Sequence, residues 1–276
     1  MNYGLDISKE ISEQSEQDFV FGALALPDMA EMPEEVRESY LPSGEIQRGA
    51  EDMMDCASRG PINILEAKFH WLLRMLSPED VAWLKEQGYM NKEGSIEFSD
   101  AAIAIWSDTT KQGNSLKAPI EAIRKNGLVP KSKLPLEQWM KWEDYHDPER
   151  ITPELIALGS EFMSRFAINY EKVNVRDFPE MLKQDFLNVA LYAWPEHNNG
   201  IYPRTEAPEN HVCILYQRRY FAFDNYVDSF DGNFVKNLAP DYKFFNYGYR
   251  LTVNRKPAVP ETRKGWFRRW LHIILS

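Results

Sequence analysis

The sequence has little cysteine, few histidines and no long hydrophobic run, and each scarcity narrows what the protein can be. Its 276 residues include two cysteines, Cys56 and Cys213, and five histidines. Two cysteines build no disulfide framework, which fits a reducing compartment where a free thiol is available. No pair of histidines has metal-ligand spacing, and Glu51, Asp52 and Asp55 read as a solvated acidic turn, so neither a metal nor another cofactor is expected. No apolar stretch approaches the length needed to span a bilayer. The first ten residues, Met1 to Glu10, have neither the basic start nor the apolar core of a signal peptide, so a cytoplasmic setting is expected. Positive charge is also in deficit. Lys and Arg number 32 against 42 Asp and Glu, a net charge of −10. That balance argues against nucleic-acid binding, which depends on cationic side chains releasing counterions from phosphates.

What is present is the composition of a folded protein: 43% hydrophobic and 27% charged residues exclude wholesale disorder. The length suits one large domain or two lobes. Residues 1–45 mix acidic stretches with short apolar patches and the Pro-bearing segment Leu26 to Pro42, and read as an arm lying over the domain. A propeptide would occupy the same place. Residues 46–255 form the expected domain, helical over about 46–150. Its apolar Ile62, Leu65, Phe69, Leu72 and Leu76 recur at steps of three and four, predicting a long core helix over Pro61–Leu76 with proline in its first turn. Shorter helices are expected over Ser77–Leu84 and Leu116–Lys125, the latter ending at Gly127. Over about 185–255, runs rich in β-branched and aromatic residues (Val189–Ala193, Val212–Tyr216, Tyr220–Phe223, Tyr247–Val253) alternate with turn formers and predict antiparallel strands. A helical lobe followed by a sheet lobe is an α+β arrangement. Residues 256–276 are basic and aromatic, with Arg263, Lys264, Trp266, Phe267, Arg268, Arg269 and Trp270, and would dock a partner or membrane surface or pack across the protein itself.

The chemistry points to Cys56 and His211, with Asp224-Asn225 beyond them. A cysteine followed 155 positions later by a histidine, and then by a carboxylate or amide, is the order of a thiol nucleophile, its base and the group that orients the base. Cys56 lies just ahead of a long helix, His211 opens one strand run and Asp224-Asn225 closes the next. Cys213, two residues from His211, reads as a buried structural thiol.

Across residues 40–253 the chain resembles the papain family of cysteine peptidases. Gln47 matches in order the family's oxyanion-hole glutamine, and Leu65-Glu66 an Ile-Glu pair of the nucleophile helix. Phe98-Ser99-Asp100-Ala101 looks like the Leu-Ser-Glu-Gln segment, and Gln112-Gly113-Asn114-Ser115 falls where a glycine-rich loop lines the substrate cleft. Asn126-Gly127-Leu128, Gly200-Ile201-Tyr202 and Asn210-His211-Val212 resemble further landmarks, and Asp224-Asn225-Tyr226 stands for the Asn-Ser-Trp triplet. The resemblance implies a two-lobe papain-like fold and a Cys56–His211–Asp224 triad acting on peptide or protein substrates. It further implies Gln47 in the oxyanion hole and Gly113, Asn114 and Tyr226 lining the cleft. The order of elements resembles compact relatives from bacteria and their viruses, which implies a cytoplasmic or virion-associated protein. The chain departs from the pattern around the nucleophile, where Asp55 precedes Cys56 and Arg59-Gly60-Pro61 follow it. A proline inside a helix begun at Cys56 costs about 3 kcal/mol, and a negative charge beside the sulfur opposes ionisation. The alternative is a papain-like scaffold without activity that serves as a structural or binding component of an assembly.

Overall fold

The structure, a computed structural model, describes residues 4–13, 28–44, 46–226 and 233–256. The basic segment from residue 257 onward and the apolar patch Phe19–Leu24 lie outside the described residues.

The helix that organises the fold, α2, spans Cys56–Leu72 and follows a short N-terminal helix α1, Ile7–Ser12. It starts five residues before the expected Pro61 and ends four before Leu76, because its first turn closes on Asp55, whose carbonyl accepts from Ser58 N (2.8 Å) and Arg59 N (3.0 Å). Every residue of α2 except His70 is buried, the mark of a helix that crosses a core rather than covering one. Pro61 sits well inside it and withholds the amide that the Ala57 carbonyl would accept. Gly60, just before, lies so close to the sheet that a Cβ there would stand 2.1 Å from Asn188 Oδ1.

Helices α3 (Pro78–Glu86), α4 (Asp100–Trp106) and α5 (Lys117–Asn126) follow. Ser77 and Ser99 cap the first two by accepting from the amides of Asp80 and Ala102. Gly127 ends α5 with φ +80°, and any side chain there would strike the Gly159 carbonyl. Next come α6 (Trp142–Tyr145) and α7 (Pro153–Arg165), the second capped by Thr152. Phe69 of α2, Phe98, Phe162 of α7 and Phe166 pack as one aromatic cluster with ring centroids 5.0–5.8 Å apart.

The sheet starts earlier than the strand-like runs indicate. Strand β1 is Phe166–Asn174; after α8 (Phe178–Gln184) come β2 (Leu187–Leu191), β3 (Ile201–Tyr202), β4 (His211–Gln217), β5 (Phe221–Phe223), β6 (Val235–Leu238) and β7 (Phe244–Arg255). The order across the sheet is β1-β7-β2-β4-β5-β6-β3, antiparallel throughout except for the parallel β6–β3 pair. Val212, Ile214 and Tyr216 of β4 join the core cluster that contains α2, while Cys213 and Leu215 join a second cluster with Phe178, Met181 and Leu182 of α8. The architecture is α+β, as expected. Among the described residues no helix is long and apolar enough to cross a membrane.

Candidate active site

The fold brings Cys56, His211 and Asp224 together. Cys56 is the first residue of α2, so the amides at its own position and at Ala57 have no partner within the helix and carry the positive end of the dipole. His211 is the first residue of β4. The β4–β5 hairpin pairs Ile214 with Phe223, which returns Asp224 to the start of β4. There the His211 Nε2 lies 2.6 Å from Asp224 Oδ1. The imidazole and the Cys56 thiol are close enough to interact electrostatically, and with Nε2 taken by Asp224 the nitrogen left to serve the sulfur is Nδ1. The sulfur accepts in addition from the backbone N–H of Val212.

Burial dominates the electrostatics, for Cys56, His211 and Asp224 are 1%, 0% and 1% exposed. Burial pulls the imidazole down, but the charges of Asp224 and Cys56 and the hydrogen bonds to both overcome it and push His211 up to about 10. Burial pushes the Cys56 thiol up. His211 and the Val212 amide pull against that rise, while Asp55 adds to it. The two groups titrate as a pair, and the form able to attack a carbonyl is thiolate beside imidazolium.

Two aromatic rings flank the imidazole. Trp194, which follows β2, lies edge-on with centroids 6.2 Å apart, and its Nε1 donates to Asp224 Oδ2 at 2.7 Å. Tyr226 lies 5.3 Å from the ring on a T-shaped approach, and its hydroxyl donates to Asp52 Oδ2. Asp52 Oδ1 in turn accepts from Gln47 Nε2 (3.1 Å) and Met54 N (2.9 Å). Gln47 is fully buried, and its backbone N–H donates to the Asn225 carbonyl, which ties the segment before α2 to the segment after β5. The Tyr226–Asp52 bond thus joins the segment after β5 to the segment before α2 beside the imidazole.

Gly113 and Asn114 are occupied by the chain's own N-terminal segment. Asn114 N donates to Gly4 O (2.9 Å) and Asp6 N to Asn114 O (2.8 Å), a parallel bridge centred on Leu5. The positive φ of Gly113 (+96°) is matched by its contact with Gly4, since a Cβ would fall 2.0 Å from the Gly4 carbonyl carbon. The Asn114 side chain is committed to Ser107 and Thr109.

Asp55 is not part of a solvated turn. It is fully buried; Arg59 Nε lies 3.0 and 3.1 Å from its two oxygens, and Tyr145 OH donates to Oδ2 at 2.6 Å. Asp52 is likewise half-buried, in the contacts just given. Among the described residues no group of three or more His, Cys, Asp or Glu forms a metal site. Trp194 and the bridging role of Asp52 escape sequence reasoning, because neither stands in a motif with the residue it holds.

No family model matches the chain, and no curated protein matches it in sequence. Solved structures do match. A chain from a structure of the mite allergens Blo t 1 and Der p 1 superimposes with TM-score 0.53 and 13% identity over 90% of this chain and 78% of that one. The proform of Amb a 11, a cysteine protease and major ragweed pollen allergen, superimposes with TM-score 0.53 and 10% identity over 94% and 76%. The fold is that of papain-like cysteine proteases.

Proposed function

We propose that the protein is a cysteine peptidase of papain type that hydrolyses amide bonds in peptide or protein substrates through Cys56, His211 and Asp224. The observation that carries this reading is His211: one buried imidazole with one nitrogen on a carboxylate and the other toward a thiol at a helix N-terminus. In the reaction the Cys56 thiolate bonds to the substrate carbonyl carbon while the carbonyl π pair moves to oxygen. The oxyanion accepts from the Cys56 backbone N–H and Gln47 Nε2. Collapse breaks the C–N bond, and the leaving amine takes the proton from His211 Nδ1. Water, deprotonated by the same nitrogen, then cleaves the thioester and restores thiolate and imidazolium. Asp224 holds the ring and its charge throughout. On this reading, substrate reaches the buried sulfur once contacts around it, among them Tyr226–Asp52, part.

A second reading, an inactive scaffold serving as a structural or binding component, is favoured by one observation, the burial of all three residues in the closed arrangement. Labelling the intact protein with a thiol-peptidase-directed epoxide, followed by mass mapping, separates the two. Modification confined to Cys56 and lost in Cys56→Ala supports the peptidase. No modification, or equal modification of Cys213, supports the scaffold.

A further inference from the structure

The residues after Cys56 that break the family pattern form a buried charge cluster of their own. Arg59, one turn into α2 and 1% exposed, donates from Nε to both oxygens of Asp55. On its other side, Arg59 Nη1 lies 3.1 Å from Asp100 Oδ2 at the start of α4. Tyr145 of α6 completes the Asp55 site with its hydroxyl. Asp55 occupies the N-cap position of α2, yet its carboxylate makes no cap bond to the helix amides. A carboxylate in that position ordinarily accepts from the amides of the first turn; here both oxygens are committed to Arg59 and Tyr145, and the amides beside Cys56 are left for other use.

We propose that Arg59 is a positioning residue for the nucleophile: it holds the Asp55 carboxylate off the helix N-terminus and balances its charge, so that Cys56 ionises toward His211. This rests on Cys56 being the nucleophile. The charged and titratable groups around Cys56 come from every element packed on it: His211 and the Val212 amide on β4 and Asp55 ahead of α2 act on the thiol directly, Asp224 acts through His211, and Cys213 and Tyr226 feel its charge. Arg59 within α2 and Tyr145 on α6 act on it through Asp55, and Asp100 on α4 through Arg59. Of these the cations are His211 and Arg59. Asp55 opposes the thiolate from the helix side, and the Arg59 Nε–H is shared between its two oxygens while Nη1 turns to Asp100.

The test is the pH dependence of Cys56 alkylation by iodoacetamide, read site by site by mass spectrometry on folded full-length protein. It reports ionisation of the thiol whether or not the protein cleaves peptides, so its failure is distinct from failure of the peptidase reading. Arg59→Gln is expected to move the midpoint up and slow alkylation at pH 7 by about tenfold, one pH unit. Asp55→Asn is expected to move it down. The double variant Asp55→Asn/Arg59→Gln, with the same net charge as the parent, is expected to return it close to the parent value. Arg59→Lys, which keeps the charge, is expected to lie nearer the parent than Arg59→Gln does. Should Arg59→Gln not fold, Asp55→Asn and the double variant decide alone. An unchanged midpoint in Asp55→Asn, or a double variant that stays displaced upward, overturns the proposal.

Discussion

At the scale of single residues, the third position of the Cys–His constellation is an aspartate because three donors converge on it. His211 Nε2 and the Asn225 amide reach Asp224 Oδ1, while Trp194 Nε1 reaches Oδ2. An amide offers one acceptor oxygen and one donor group. Asp224→Asn must therefore set its NH2 against either the indole N–H or the imidazole, and leaving a buried donor without a partner costs about 1–3 kcal/mol. Asp224→Asn alone is expected to lower kcat/KM for peptide hydrolysis by about a hundredfold, within the range typical of a disturbed general base. Adding Trp194→Phe removes the competing donor and is expected to recover about tenfold. Full activity in Asp224→Asn, or no recovery in the double variant, would refute this account of Asp224.

At the scale of elements, α2 decides the geometry of the site. It places Cys56 at its first residue and lays the turn containing Gly60 directly on β2. Gly60→Ala would drive a methyl to within 2.1 Å of Asn188 Oδ1 and 3.0 Å of Val212 Cγ1, so the buried Asn188 side chain or the backbone beside it must shift. The variant is expected to lose about 1–3 kcal/mol of stability, as overpacked cores do, measured as a lower urea midpoint at unchanged slope. Asn188 is the main obstacle, and its side-chain amide has no hydrogen-bond partner among the described residues. Gly60→Ala/Asn188→Ala is therefore expected to restore much of the loss; a Gly60→Ala midpoint equal to the parent's would contradict this packing. The same element shows what the sequence could and could not disclose. Ile62, Leu65, Phe69 and Leu72 announce the helix by their spacing, because burial of one face is written in hydrophobicity. Its true start is not, because Asp55, Ser58 and Arg59 are buried through ion pairs and close packing, which leave no apolar pattern. Strand β1 was hidden likewise: Asn169, Glu171 and Lys172 dilute its alternation, and the buried Glu171 is paired with Arg250 on β7 at 3.1 Å. Helix α7 did carry a legible signal, the Thr152-Pro153 start followed by an apolar stripe at Leu155, Leu158 and Phe162. Cys56 and His211 could be picked out by order and type, and Asp224 through the resemblance of Asp224-Asn225-Tyr226 to the family's triplet. Trp194 and Asp52 could not, since only the folded chain sets them beside those residues.

At the scale of the whole molecule, the N-terminal residues are part of the folded body. Asp28 joins a buried network in which Lys68 of α2 bonds Asp28 (2.5 Å) and Asp185 (2.7 Å), and Arg250 bonds Asp185 (2.8 Å) and Glu171. Arg37 adds hydrogen bonds to the carbonyls of Leu182, Asp185 and Tyr216. Such pairs contribute little net stability, but removing one partner typically costs about 3–5 kcal/mol, so they fix where the segments lie. Farther toward the N-terminus, Gly4 to Asp6 pair with Asn114, and Glu10 reaches the Lys117 amide and the Tyr247 hydroxyl. The protein is accordingly a papain-like fold in which Cys56, His211 and Asp224 are buried, residues 4–6 pair with Asn114, and Tyr226 is joined to Asp52 beside the imidazole. The central claim is that this form opens to a working thiol nucleophile served by His211. The most direct measurement is intact-mass detection of an acyl-enzyme after rapid mixing with an activated peptidyl ester, where covalent catalysis produces a burst. The account predicts one acyl group on Cys56, formed in the parent and lost or strongly slowed in His211→Ala. No adduct, an adduct on Cys213, or acylation equally fast without His211 would contradict it.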